Sequence, residues 1–175
     1  MLNKLITYLY NNQKGCVMNM IYIVTMTLND SNNECFIGLS KSLEGCVKCA
    51  KACLPINEKF QIKSITPSLF LFQSINNPGL WLSFLKQNRD WTSDTGWVVT
   101  KRRESSMSES IYALLDDKEK AFDFVNARVD QPKCTFREKC KITEVEGYKP
   151  MAKFLDENPE LNRVHYTIYE TEVEE

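Results

Sequence analysis

The sequence has few of the residues on which most catalytic sites depend. It holds one histidine, His165, and 6 glycines among 175 residues. A Cys–His or Ser–His–Asp arrangement would have to use His165, which opens a predicted strand with no nucleophile motif beside it. The sequence lacks P-loop, G-x-G-x-x-G, G-x-S-x-G and H-E-x-x-H motifs. We therefore interpret His165 as a structural residue at an edge or surface, and we expect neither enzymatic activity nor a cofactor.

Long apolar runs are also missing. No segment approaches the ~20 apolar residues that a membrane span requires, and residues 5–10 are too short and too polar for a secretory signal. The 7 cysteines are an odd number in a chain too long for a small secreted scaffold, so they do not indicate a disulfide framework. We expect a soluble, cytoplasmic protein that does not bind membranes.

Net charge is nearly absent, but the charges are unevenly distributed. Residues 1–92 carry 9 Lys and Arg against 5 Asp and Glu, whereas residues 93–175 carry 13 against 18. The halves could attract each other or the opposite half of another copy, so a homodimer is possible. Chance together with the acidic tail at 170–175 would explain the same distribution.

The 16 lysines against 6 arginines, with 14 asparagines, suggest AT-rich coding and favour a phage, another virus or a low-GC bacterium as the source.

What the sequence does contain is an internal repeat at an offset of 75 residues. Residues 21–25 reappear as the similar segment 96–100, and residues 35–50 align without a gap with 110–125. An aromatic-Leu-x-x-Asn pattern beginning at residues 8, 84 and 154 marks a partial third copy. A duplicated unit indicates how the chain is built and leaves its function open.

Hydrophobic periodicity predicts the order strand–strand–helix–strand–helix in each copy. The predicted strands are 22–29, 35–39, 60–66, 97–104, 111–115 and 140–146, and the predicted helices are 43–54, 80–88, 118–129 and 151–157. Residues 69–72 extend the first sheet, and 165–172 form an extra C-terminal strand. We therefore predict an α+β fold: a tandem duplication with antiparallel sheets covered by helices. The first unit, 1–92, begins with an N-terminal helix, and the second, 93–175, ends with the extra strand.

Three cysteines have a spacing that suggests a metal site. Cys46, Cys49 and Cys53 lie near one face of a predicted helix, and Cys134 and Cys140 could add ligands. The repeat argues against this interpretation, because Ala121 and Phe124 take the places of Cys46 and Cys49 in the second copy. A buried free cysteine behaves as a small apolar side chain, so we expect these three thiols to be buried and free of metal.

The densest basic run, Lys101-Arg102-Arg103, is the candidate partner-binding patch, with Arg89 and Trp91 before it. Its counterparts in the first copy are Met26, Thr27 and Leu28, so the strand pattern does not require these charges. A solvated strand end is the alternative explanation of the run. Trp91, in the joint between the copies, is the tryptophan that we expect to be exposed.

Three functional hypotheses follow. The leading one is a non-catalytic protein-binding or regulatory protein, a phage or viral accessory factor that inhibits or recruits a host protein. The second is a nucleic-acid-binding module that uses the basic run and nearby aromatic side chains, although the pI of about 6.0 argues against nucleic acid as the main partner. The third is a cysteine-ligated metalloprotein.

Overall fold

The computed structural model describes residues 20–28, 34–55, 57–102, 109–149 and 163–175. These residues form ten strands, two short α-helices and one 3-10 turn. The elements are β1 (Ile21–Leu28), β2 (Glu34–Ser40), α1 (Leu43–Cys53), β3 (Phe60–Ile65), β4 (Leu69–Ser74), β5 (Leu80–Gln87), β6 (Thr95–Arg102), β7 (Glu109–Leu115), α2 (Lys118–Asn126), β8 (Asp130–Arg137), the 3-10 turn (Glu138–Cys140), β9 (Ile142–Tyr148) and β10 (Arg163–Glu174). None of the helices in this described part of the chain is long and apolar enough to cross a membrane.

The predicted α+β class is wrong, because the fold is nearly all-β. Strands account for 59% of the described residues and helices for 17%, and the sheet is mixed, with parallel and antiparallel pairs. The predicted helices at 43–54 and 118–129 correspond to α1 and α2. The helix predicted at 151–157, like the aromatic-Leu patterns at 8 and 154, lies outside the described residues.

The largest error concerns residues 80–88, which were predicted as a helix and form β5. Leu80, Leu82 and Phe84 are buried and alternate with partly exposed neighbours, which is the period-two pattern of a strand. This strand lies between β1 and β4 and is antiparallel to both. The adjacent apolar residues at 80–82 and 84–85 had resembled a helical face, and pairing on both sides decided the outcome.

The sequence interpretation also missed β8. Hydrophobic periodicity assigns no element to this segment, which contains Pro132 and several charged residues. The structure pairs β8 with β9 alone among the described strands, and proline is tolerated on a strand at the edge of a sheet.

The first unit comprises the described residues up to Asp94, together with Glu172–Glu175. Its strands follow the order β3-β4-β5-β1-β2, all antiparallel, and the last residues of β10 pair in parallel with β2. Lys41 fixes this C-terminal end: its backbone N–H donates to the Glu174 carbonyl at 2.8 Å, and its Nζ lies 2.8 Å from both Asp94 Oδ1 and Glu175 Oε1. These hydrogen bonds raise the pKa of Lys41.

One face of this sheet is covered by α1. The Ser42 side chain accepts a hydrogen bond from the Gly45 N–H at 2.9 Å, which caps the helix. Cys46, Val47 and Ala50 then point into a core that is rich in aromatic side chains from β3, β4 and β5.

The second unit comprises Thr95–Thr171. It consists of the hairpin β6–β7, the hairpin β8–β9, and the first part of β10, which lies between β9 and β6. The Asp117 carboxylate caps α2 by accepting from the Lys120 N–H at 2.9 Å. Ala121 and Val125 of this helix pack on Val99, Val145 and the buried side chains of β10.

Both units have the element order strand–strand–helix–strand–strand–strand. The first hairpin of each has a β-bulge at equivalent positions, between Val24 and Thr25 in one and between Val99 and Thr100 in the other. In each hairpin the threonine hydroxyl next to the bulge donates to a glutamate, Glu34 or Glu109, across the pair. The correspondence at the 75-residue offset therefore includes the side-chain contacts around the bulge.

We expect Gly147→Ala to destabilise the second unit by roughly 1–3 kcal/mol. A Cβ at residue 147 would overlap Val129 Cγ1 and lie 2.7 Å from the Asp130 carbonyl oxygen. The backbone of β8 would have to move, because that oxygen cannot rotate away. Urea denaturation of the two proteins measures the change.

The matched control is Gly38→Ala in the first unit. A Cβ there would lie 2.9 Å from the Cys49 sulfur, which is part of a side chain that can move. We expect a loss of less than about 1 kcal/mol for this variant. Equal losses for the two variants would contradict the proposed backbone overlap at residue 147.

Candidate functional site

A polar groove of about 440 Å³ lies on the second unit. Residues from five strands line it: Arg102 (β6), Glu109 (β7), Arg137 (β8), Ile142, Glu144 and Glu146 (β9), and His165, Tyr166, Thr167 and Tyr169 (β10). Three glutamates and two arginines give it a mixed charge with a net excess of one negative charge when His165 is neutral.

The register of β9 and β10 builds the groove. His165 pairs with Glu146 and Thr167 with Glu144, so these four side chains share one face of the sheet. The alternate residues of β10, Val164, Tyr166 and Ile168, belong to the core that α2 covers. The groove therefore lies mainly on the sheet face opposite α2.

Two ion pairs cross the groove. Arg137 Nη2 lies 3.0 Å from Glu144 Oε1, and His165 Nδ1 lies 3.3 Å from Glu146 Oε1. The second contact is an ion pair only when the imidazole is protonated. Because these side chains are partly exposed, each pair contributes at most about 1 kcal/mol to stability. A charged group of a ligand could therefore replace one partner of either pair at a small cost in free energy.

Glu109 is held more firmly than the other two glutamates. Its carboxylate accepts a hydrogen bond from the Thr100 hydroxyl and lies 3.2 and 3.3 Å from the Tyr169 phenol oxygen. Thr100 is 1% exposed. The hydroxyl groups of Thr100 and Tyr169 thus orient the Glu109 carboxylate.

Lys101 and Arg102 of the basic run do not form a single patch, because consecutive residues of a strand point to opposite faces. Arg102 lines the groove. Lys101 lies on the α2 face, with Nζ 5.4 Å from the Tyr112 ring centroid and 5.7 Å from that of Tyr166. Burial raises the pKa of the Tyr166 phenol, so the ring is neutral near pH 7 and presents its π-face to the lysine. Arg103 lies outside the described residues.

The other two candidate residues belong to the first unit. The prediction that Trp91 is exposed is wrong: the side chain is 1% exposed, and its Nε1 donates to the Ser93 carbonyl at 2.8 Å. The Arg89 guanidinium lies 4.9 Å from the Trp91 ring centroid and contacts the ring as a cation–π partner. The Ser93 carbonyl therefore binds the Trp91 N–H, and the Arg89 guanidinium covers the Trp91 ring, so the side chain that the sequence predicts to contact a partner is engaged within the first unit.

The three thiols of α1 do not converge on one point. Cys46 is buried in the core, the Cys49 thiol is 3.8 Å from the Leu39 carbonyl oxygen, and Cys53 is exposed. The expectation of burial is thus correct for Cys46 and wrong for Cys53. Cys134 lies in the second unit and is also exposed. Among the residues that the structure describes, no cluster of three His, Cys, Asp or Glu side chains is arranged to hold a metal ion.

The sequence interpretation missed most of the groove. The sequence patterns single out His165 and Arg102 separately, and they do not indicate Glu109, Glu144, Glu146 or Tyr169 as site residues. One signal was available, because Thr100 and Glu109 repeat Thr25 and Glu34 at the 75-residue offset. The remaining residues come together only through the pairing of β8, β9 and β10.

Comparison with known proteins identifies no family for this chain. No protein-family description, no curated protein and no solved structure matches this chain. The functional interpretation therefore depends on the geometry of the described residues.

We expect the cysteines to react with iodoacetamide at very different rates. Burial raises the pKa of the Cys49 thiol to about 11 and that of Cys46 still further, so at pH 8 almost none of either is thiolate. The exposed Cys35, Cys53 and Cys134 should be modified first. Peptide mass spectrometry of the native protein over time gives the order, and modification of Cys46 as fast as Cys134 would contradict it.

Proposed function

We propose that this chain is a non-catalytic protein-binding protein whose second unit binds an extended segment of its partner along the outer edge of β8. Proteins commonly recognise peptides by adding them as a further strand to a sheet edge, where backbone hydrogen bonds provide affinity and alternate side chains provide specificity. The exposed edge strand beside the charged groove is the observation on which this proposal depends.

The exposure of β8 supports this mode of binding. Residues 131–137 are all exposed, and among the described strands β8 pairs only with β9. An edge of this kind offers backbone N–H and C=O groups to another chain. Phe136 is 60% exposed, and exposed aromatic side chains are frequent anchors in protein interfaces.

The groove adjoins the same strand. Arg137 of β8 is one of its walls, and Arg102 is an exposed cation for which the described residues provide no ion pair. A strand added at β8 would place every second side chain on the groove side of the sheet. The partly exposed Glu144 and Glu146 of β9 lie nearest to such a strand. Arg102 lies on β6, beyond β9 and β10, so partner side chains that extend across the groove would pair with it.

The alternative functions have less support. The three glutamates of the groove would repel the phosphates of a nucleic acid, and Lys101 is turned to the other face of the sheet. The dispersed thiols give no support to a metalloprotein. The groove lining includes no serine or cysteine beside His165, which favours binding over nucleophilic catalysis. The lysine- and asparagine-rich composition is compatible with a phage or viral source. On that source, the proposed role is an accessory factor that inhibits or recruits a host protein in the cytoplasm.

Charge reversal at Arg102 tests the proposal. Immobilised wild-type protein and the Arg102→Glu variant are used to retain proteins from a lysate of the source cell, and retained proteins are identified by mass spectrometry. We expect wild type to retain a partner of which the Arg102→Glu variant retains at least about tenfold less. The new carboxylate adds to the negative charge of the three glutamates. Hydrogen exchange of the complex should then show protection of the amides of 130–137.

The matched control is Lys63→Glu, which makes the same charge change at an exposed position of β3 in the first unit. This variant should retain the partner as wild type does. Equal retention by Arg102→Glu, or a complex in which β8 amides exchange as fast as in the free protein, would disprove binding along β8.

A further inference from the structure

We propose a second binding site on the second unit, on the α2 side of the sheet, for a small ligand that combines an apolar body the size of one ring with a carboxylate. The site is a cleft of about 230 Å³. The proposal goes beyond the protein-binding function, because the cleft would bind this ligand in the absence of a partner.

Aromatic side chains from three different elements form the walls. Trp97 comes from β6, Phe122 from α2 and Phe136 from β8. The buried Thr143 and Ile168 line the cleft as well. Pockets for drug-sized ligands usually measure ~300–1,000 Å³, so this smaller cleft suits a single ring or a branched side chain.

The charges at the cleft favour an anion. Lys118 and Lys141 line it together with one acidic residue, Glu170, which leaves an excess of one positive charge. A carboxylate near the two lysines would gain charge-assisted hydrogen bonds. An ammonium group in the same place would meet two like charges.

Lys141 has an unusual backbone conformation. Its φ of 51° and ψ of 44° place it in the left-handed region, where glycine or asparagine is preferred. A lysine in this conformation costs about 1–2 kcal/mol relative to an ordinary conformation. A positive charge that contributes to the cleft would explain why a lysine occupies this position.

The indole of Trp97 gives a second indication. Its Nε1 is buried and has no hydrogen-bond acceptor among the described residues. The equivalent atom of Trp91 donates to a carbonyl, as buried indole N–H groups usually do. Because Nε1 is closed off from solvent, a ligand oxygen supplies this acceptor only if the indole shifts on binding.

Titration with phenylacetate, phenylacetamide and phenethylamine tests the site. The three probes share the ring and differ in charge, and the indole N–H resonance of Trp97 in ¹⁵N-labelled full-length protein reports binding. We expect saturable shifts with phenylacetate, binding weaker by about tenfold or more with the neutral amide, and none with the amine. Phenylacetate should also slow the alkylation of Cys134, which lines the cleft, and leave that of Cys53 unchanged.

Three variants locate the anion contact. Lys118→Met and Lys141→Asn should each remove most of the preference for the acid over the amide, and asparagine retains the backbone conformation at 141. The control, Lys133→Met, removes an exposed lysine of β8 that does not line the cleft and should bind phenylacetate as wild type does. Unchanged melting temperatures would establish that the variants are folded.

Three results would overturn the proposal. The first is the absence of saturable shifts at Trp97 with phenylacetate at any soluble concentration. The second is equal binding of the acid and the amine, and the third is a loss in the Lys133→Met control equal to that in the other two variants. N-acetylphenylalanine distinguishes the natural sources: tighter binding than phenylacetate indicates the C-terminal aromatic residue of a polypeptide, and weaker binding indicates a free aromatic acid. Loss of this site would leave the retention of a partner by β8 unaffected.

Discussion

The second unit depends on the antiparallel pairing of β9 with β10. Seven residue pairs, from Arg163–Tyr148 to Tyr169–Ile142, fix which side chains face α2 and which face the groove. A slip of one residue would exchange the two sets, burying His165 and exposing Tyr166 and Ile168. Burial of Val164, Tyr166 and Ile168 stabilises the folded unit by roughly 1.5–3 kcal/mol for each side chain, and the slip would lose this stabilisation. The polar groove is thus a consequence of the same register that forms the apolar core.

The two sides of this sheet differ in their chemistry for the same reason. On the groove side, the Arg137 guanidinium, the His165 imidazole and the Tyr169 hydroxyl contact glutamates that remain partly exposed. On the α2 side, the helix covers the centre of the sheet but leaves the end near Phe136 open, which produces the aromatic cleft. The strand β8 borders both surfaces. Its position explains how one edge could present a charged surface and an apolar surface to different ligands.

Charge was a poor guide to the candidate site when it was considered along the chain. Lys101 and Arg102 are neighbours in the sequence, yet the strand directs one to the rings of Tyr112 and Tyr166 and the other to the groove. Trp91 was expected to be exposed because it lies in a joint between repeats. A tryptophan can bury most of its area and still satisfy its N–H, and the Ser93 carbonyl allows it to do so. The polarity of neighbouring residues thus failed to predict burial.

The sequence by itself determined the local features: the hairpins, the capped helices α1 and α2, and the apolar place of Cys46, which Ala121 takes in the second unit. These depend on side chains within a few residues of one another, so periodicity and capping residues reveal them. Only the tertiary structure decided that Leu80–Gln87 is a strand, that β8 exists, and that His165 and Arg102 share a groove. Those outcomes depend on pairing between strands far apart in the chain, and the partner of a strand is not encoded in its own residues.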